Sequence, residues 1–199
     1  MGESVDPTSA KAIPDYLSMY LTSEGFNFPR LIDDDFFSAI KLLWNAKKYI
    51  SSLTLLFTAI DTFGFIEFGA QNNSFIQWLD EYGDLRSINV TSREIWELRN
   101  SLLHMTNLDS YRVQSGSVER LIPAFTHPSM KTLPPDGNAK NFHVSQFLLI
   151  ILPKGIEKWL TTYNQKREKI QQFIYRYDTI VSEARMGKYF NSSAGRRSR

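Results

Sequence analysis

Apolar and polar positions recur with a helical period over most of the chain. A first short helix is predicted over residues 13–23, with Pro14 in its first turn and Gly25 beyond its end. Residues 26–31, around Pro29, read as a connector. Asp33, Asp34 and Asp35 then offer a cap and negative charge for a helix running from about Phe36 into the sixties. After Tyr49 its apolar residues, Ile50, Leu53, Leu55, Leu56, Phe57, Ala59, Ile60 and Phe63, cover nearly the whole circumference, as expected of a central, buried helix. Gly64 and Gly69 weaken its far end. A helix over 74–82 has Phe75, Ile76, Trp78 and Leu79 as its apolar side and Gly83 as its stop. Thr91 and Glu94 have the spacing of a capping box and open a helix over 92–105.

The texture changes after Asp109. Residues 111–113 and 118–125 are strand-like and flank Gln114-Ser115-Gly116-Ser117, which predicts a β-hairpin. Residues 127–141 carry Pro128, Pro134, Pro135 and Gly137 and read as a loop. Helical spacing resumes near Val144 with Phe147, Leu148, Ile150 and Ile151, and Pro153 should kink or interrupt it. Ile156, Leu160, Tyr163, Ile170, Ile174, Tyr177 and Val181 form a stripe, widened by Phe173 and Ile180. One helix over 156–183 would be about 42 Å long and would reach beyond a small bundle. The expected fold is mainly α: a helical bundle with a small β-hairpin insertion at about 110–142 and a long C-terminal helix. Residues 1–10 read as a disordered leader, 11–185 as a single domain, and 186–199, with Arg196, Arg197 and Arg199, as a basic disordered tail.

Charge adds an asymmetry. The formal net charge of the 199 residues is only +2. Residues 1–110 nevertheless hold 8 Lys/Arg against 15 Asp/Glu, a net of −7, and residues 111–199 hold 15 against 6, a net of +9. Such a split suits a polyanion partner or charge-matched self-association. Lys166, Arg167, Lys169 and Arg176 are the candidate nucleic-acid-binding stripe on the last helix; a solvated helix face is the plainer reading.

The chain has no cysteine, which excludes disulfides, thiolate metal sites and cysteine nucleophiles. With only His104, His127 and His143, a His-rich metal site is not expected either, and no metal or cofactor is indicated. His127 and His143 flank the Pro-rich loop and are expected to be exposed. The polar start lacks the apolar core of a signal peptide. The most apolar stretches, 50–60 and 147–152, are too short to span a bilayer, so the expectation is a soluble, cytoplasmic protein without membrane association.

Chemistry concentrates in the helix over 92–105. At about 100° per residue, Ile95, Leu98, Leu102 and Met105 form one flank of its apolar arc, and Trp96 and Leu103 the other. Arg93, Glu97, Asn100 and His104 share the polar face. Arg99 falls within the apolar arc, where a permanent charge requires a partner or a bound anion. A guanidinium can clamp a phosphate with two parallel hydrogen bonds. An imidazole at position 104 can move protons near neutral pH, and a neutral amide at position 100 can orient one of its neighbours. Arg99 with Asp61 or Glu67, the two carboxylates that interrupt the central apolar helix, is the structural alternative.

Arg99-Asn100-Ser101-Leu102-Leu103-His104 resembles the R-x4-6-H motif of the HEPN superfamily, with Asn100 as the polar residue that commonly follows the Arg. The flanking Trp96-Glu97-Leu98 is similar as well. The resemblance implies an all-α bundle that dimerises around a composite cleft. It also implies metal-independent RNA cleavage by attack of the 2′-OH on the adjacent phosphate, leaving a 2′,3′-cyclic phosphate and a 5′-OH. By matching position, Arg99 and His104 would be the catalytic pair and Asn100 their support. Implied partners are RNA, a second copy of the chain and, in a toxin or defence setting, an antitoxin or regulatory protein. One subgroup carries Tyr two positions after the His, where this chain has Thr106. Arg99 and His104 lie about 140° apart on an ideal helix, so one cleft needs a bent Arg99, a distorted helix or a group from the partner chain. Many HEPN members are not nucleases. A non-catalytic HEPN-like nucleic-acid-binding or protein-interaction module, or a structural helical protein, fits the same residues.

Overall fold

The structure, a computed structural model, describes residues 14–105, 111–126, 139–164 and 168–180, with the backbone alone for His104, Met105 and Asn164. It is mainly helical. The chain enters through a 3-10 turn, Asp15–Tyr20, and a small antiparallel pair, β1 (Leu21–Thr22) and β2 (Gly25–Phe26). A single helix was expected there. Gly25, at φ 124°, supplies the tight turn instead of a helix stop.

The predicted start at the three aspartates is displaced upstream. Asn27 caps α1 (Phe28–Ile32) by accepting a 3.1 Å hydrogen bond from the Arg30 N–H, and Pro29 occupies its first turn. Asp33, Asp34 and Asp35 then lie inside a π-helical turn, Asp33–Phe37, that leads into α2 (Ser38–Asn45). The expected long helix breaks at Lys47, whose φ is 59°, and restarts as α3 (Tyr49–Phe68). At 20 residues and a mean hydropathy of 1.5, α3 is long and apolar enough to cross a bilayer. Its Leu53, Leu56, Phe57, Ile60 and Phe63 are instead buried among the other helices, which makes it the core helix of the bundle. Gly64 belongs to that packing, because a Cβ there would sit 2.7 Å from the Ser74 backbone. It admits α4 (Ser74–Tyr82) against α3.

A 3-10 turn, Leu85–Ile88, leads to α5 (Ser92–Asn100), and a π-helical turn, Ser101–Met105, continues it. The capping box forms as expected: Thr91 Oγ1 accepts from Glu94 N at 3.2 Å, and Glu94 Oε2 accepts from Thr91 N at 2.7 Å.

The predicted hairpin does not form. Residues Tyr111–Gln114 make a helical turn, α6, closed by Gly116 at φ 72° and by Ser117 N donating to Arg112 O at 3.0 Å. A Gly at positive φ serves a helix C-cap as well as a hairpin turn, and here the C-cap wins. The strand that follows, β3 (Arg120–Ala124), pairs in parallel with β4 (Ala139–His143), from Arg120↔Ala139 to Ala124↔His143. Pro123 cannot donate to a ladder, so a strand with one neighbour tolerates it.

From Val144 the chain is helical through α7 (Val144–Gln146), a π-helical turn Phe147–Ile151 and α8 (Leu152–Asn164). The wide turn falls just before Pro153, which lacks an N–H and crowds the preceding turn. Residues 168–180 are helical again. They do not extend α8 as a straight arm. Trp159 and Phe173 would lie about 21 Å apart on one rod, yet their ring centroids are 5.9 Å apart. The last helix therefore folds back, and Phe173 packs on Phe28 and Tyr163 at 4.7 and 5.4 Å. Trp78, Trp159, Phe63 and Phe75 complete an aromatic core. The predicted leader, the Pro-rich segment up to residue 138 and the basic tail lie outside the described residues.

Candidate active site on the motif helix

The last turn of α5 points Arg99 at the middle of α3. Arg99 donates from Nε and Nη2 to Asp61 Oδ2, at 2.9 and 2.6 Å, and from Nη1 to Asn100 Oδ1 at 2.9 Å. Its guanidinium carbon stands 4.9 Å from the centre of the Trp96 ring. The pair is screened from solvent without being sealed: the side chains are 16% and 29% exposed. Arg99 thus resolves its place in the apolar arc by reaching a carboxylate on the neighbouring helix, one of the two partners considered from sequence.

The helix distorts between Arg99 and position 104. The π-helical turn Ser101–Met105 begins directly after Asn100 and contains position 104. A π-helical turn advances fewer degrees per residue than an α-helix, so it narrows the angle between positions 99 and 104. The His104 side chain lies outside the description. Ser101 is fully buried and donates to Glu97 O at 2.8 Å.

The insertion clasps the other side of this helix. Glu94 and Glu97 are buried, at 6% exposure each. Lys140 of β4 reaches Glu94 at 2.8 Å, and Arg112 of α6 reaches Glu97 at 3.5 Å. His143, expected to be exposed, ends β4 half-buried, and its Nδ1 has no hydrogen-bond partner among the described residues. His127 lies outside them.

The basic stripe is not assembled as expected. Lys169 donates to Glu67 Oε1 at 2.7 Å, and Arg176 Nη1 donates to the Ile66 and Glu67 carbonyls at 2.6 Å each, closing the end of α3. Both charges therefore tie the last helix to the bundle. Lys166 and Arg167 lie outside the described residues.

Glu67 is the hub of that tie. It also accepts from Trp159 Nε1 at 3.0 Å, from Tyr82 Oη at 3.3 Å and from Tyr163 Oη. Burial alone pushes its carboxyl up. The hydrogen bonds from Lys169, Tyr163 and Trp159 and the Lys169 charge outweigh that and hold it below the ordinary value. Tyr82 and Tyr163 are pushed up, first by burial and then by the Glu67 charge and hydrogen bond.

A groove of about 590 Å³ lies between α1, α2 and α8, lined by Phe28, Ile32, Phe37, Leu148, Leu149 and Leu160 among others. Another, of about 670 Å³, lies beside the α4–α5 connection. Arg99 and Asn100 border neither. Among the described residues, no group of three or more His, Asp or Glu side chains is placed to hold a metal ion. Comparison with protein-family models, with curated proteins and with solved structures finds no match for this chain.

Proposed function

We propose that the chain is a metal-independent endoribonuclease of HEPN type, working as a homodimer with Arg99, Asn100 and His104 at the reacting phosphate. The observation that supports it most is the π-helical turn between Asn100 and position 104, which relieves the angular mismatch of an R-x4-H spacing. In this reading Asp61 and Asn100 fix the guanidinium plane of Arg99. Arg99 then stabilises charge on the phosphate oxygens as they become equatorial in the transition state. The RNA 2′-oxygen forms a bond to phosphorus and the bond to the 5′-oxygen breaks. One His104 takes the proton from the 2′-OH, and His104 of the second copy delivers one to the leaving 5′-oxygen. The products are a 2′,3′-cyclic phosphate and a 5′-OH.

A second reading, a non-catalytic HEPN-like binding module, is favoured by one observation: Arg99 is already paired with Asp61 inside the chain. RNA digestion in excess EDTA separates the two. Wild type should cleave and leave cyclic phosphate ends, and Arg99→Ala and His104→Ala should each lose about 10²–10⁴-fold in rate. Full activity in either variant, or no cleavage by folded wild type across a broad RNA panel, refutes the catalytic reading.

A further inference from the structure

The break between α2 and α3 brings together residues that the sequence scatters. Trp44 lies in the last turn of α2, Tyr49 begins α3, and Phe125 follows β3 from the insertion. The rings of Tyr49 and Phe125 are stacked, 5.1 Å apart and 12° from parallel. Trp44 meets Tyr49 edge-on at 5.1 Å and lies 6.3 Å from Phe125. All three are half-buried, unlike Trp78 and Trp159 of the core, which are fully enclosed. Lys47 and Lys48 stand exposed between Trp44 and Tyr49, and neither side chain has a partner among the described residues. Lys47 is held there in the left-handed region, at φ 59°, which a lysine adopts only at some cost. Nearby Lys41 differs, because Asp33 holds it at 2.6 Å.

We infer that the Trp44–Tyr49–Phe125 corner is a stacking platform for single-stranded RNA, with Lys47 and Lys48 contacting its phosphates. Aromatic faces beside unpaired cations are the minimal equipment for binding a single strand without reading its sequence. An anionic membrane would also attract the lysines, and Leu42 and Ile50 are exposed at this corner, at 70% and 53%. The stacked rings of Tyr49 and Phe125, with Trp44 held edge-on against them, favour bases over acyl chains, since a bilayer requires apolar tips and no ring order. Tyr49 and Asp61 share α3, about 18 Å apart along it and about 120° apart around it, so a strand joining the platform to the Arg99 site would wind partway round the helix. The choice of RNA rests on the endoribonuclease reading; the binding surface does not depend on cleavage.

The test uses the full chain, EDTA and a fluorescein-labelled single-stranded oligonucleotide of about twelve nucleotides. Its 2′-hydroxyls are methylated, so it cannot be cleaved by 2′-OH attack. Anisotropy titrations at two salt concentrations should show wild-type binding. Lys47→Gln/Lys48→Gln, an exposed double change that leaves the core intact, should weaken it about tenfold and make the salt slope shallower by about 1.4. Tyr49→Leu, which keeps most of the packed volume, should weaken it by at least about fivefold at both salt concentrations. Binding unchanged in both variants overturns the platform, as does absence of wild-type binding. Binding to phosphatidylserine vesicles that the double variant loses, with oligonucleotide binding unaltered, also overturns it and assigns the surface to lipid. Platform-dependent binding by a wild type that cleaves no unmodified RNA upholds the platform and removes the nuclease reading. Cleavage and binding indifferent to the platform variants do the reverse.

Discussion

Asp61 and Glu67 stand six residues apart on the same core helix, and both interrupt an apolar sequence. Their surroundings differ in kind. Glu67 is 10% exposed and gathers donors from Tyr82, Trp159, Tyr163 and Lys169, so one carboxylate joins α3, α4, α8 and the last helix. Asp61 is 29% exposed and holds Arg99, which in turn touches Asn100 and Trp96. A carboxylate surrounded by donors from three other elements is committed to architecture. A carboxylate that fixes an arginine beside a distorted helix leaves that arginine partly open to solvent, at 16% exposure, which is what the proposed phosphate contact would need. Chemistry is therefore sought at Asp61 and Arg99, while the buried, more strongly bonded site is assigned to stability.

The largest expected effect tests that division directly. Glu67→Ala leaves the Lys169 charge and three partly buried donors without their acceptor, and it should lower unfolding free energy by about 3–5 kcal/mol. Asp61→Ala leaves Arg99 close enough to water to re-solvate, and it should cost about 1 kcal/mol. Urea denaturation of both variants measures the difference. Equal losses would erase the distinction between the two carboxylates.

The pH dependence sharpens it. The folded Glu67 carboxyl titrates below its ordinary value of 4.5. Its contribution is therefore complete above that value and is lost as pH falls through 4.5 towards the folded pKa. Tyr82 and Tyr163 are raised above their ordinary value of 10.0, so their contribution is complete below pH 10.0 and is lost as pH rises beyond it. Urea midpoints measured from about pH 3 to about pH 11 should fall at both ends. Glu67→Gln should flatten the acid side and keep much of the alkaline loss, because burial is the leading cause of the tyrosine shifts. An acid limb unchanged in Glu67→Gln would transfer the acid sensitivity to other carboxylates.

Much of this contrast was legible in the sequence, and the missing parts share a physical origin. The capping box at Thr91 and Glu94, the helix over 74–82 and the burial of α3 follow from local signals that tertiary contacts reinforce. That Asp61 and Glu67 needed partners was also readable, since both charges lie in an apolar helix. Which partner belonged to which was not, because Arg99 and Lys169 reach them across 38 and 102 residues. The fold-back of the last helix was hidden for the same reason. A stripe of apolar residues has the same period whether it lies along a free arm or against its own bundle, and only the contact of Phe173 with Trp159 decides. The parallel pairing of β3 and β4 was obscured by ambiguous punctuation. Gly116 serves a helix end and a hairpin turn equally, and Pro123 argues against a strand unless the strand lies at an edge. Phe125 reads from the sequence as a candidate base-stacking residue beside Tyr111 and Arg112, with core as the plainer reading; its place beside Trp44 and Tyr49 was not legible, because it comes from a separate part of the chain and no local pattern links the three.

The smallest expected effect is the control on the whole comparison. Lys41 and Asp33 meet at 2.6 Å, the same separation as Arg99 Nη2 and Asp61 Oδ2. Their side chains are 58% and 51% exposed. Water screens that pair, and ordering a lysine offsets what attraction remains, so Lys41→Ala should change unfolding free energy by less than about 0.5 kcal/mol. A thermal or urea melt of this variant beside Asp61→Ala and Glu67→Ala then compares exposed, half-screened and enclosed carboxylates. If burial and the number of donors set the energy, losses rise in the order Asp33, Asp61, Glu67. If contact distance set it, removing Lys41 would cost as much as breaking the Asp61 pair. A loss of 1 kcal/mol or more for Lys41→Ala would therefore undercut the use of burial to separate a structural carboxylate from one that positions a reactive arginine.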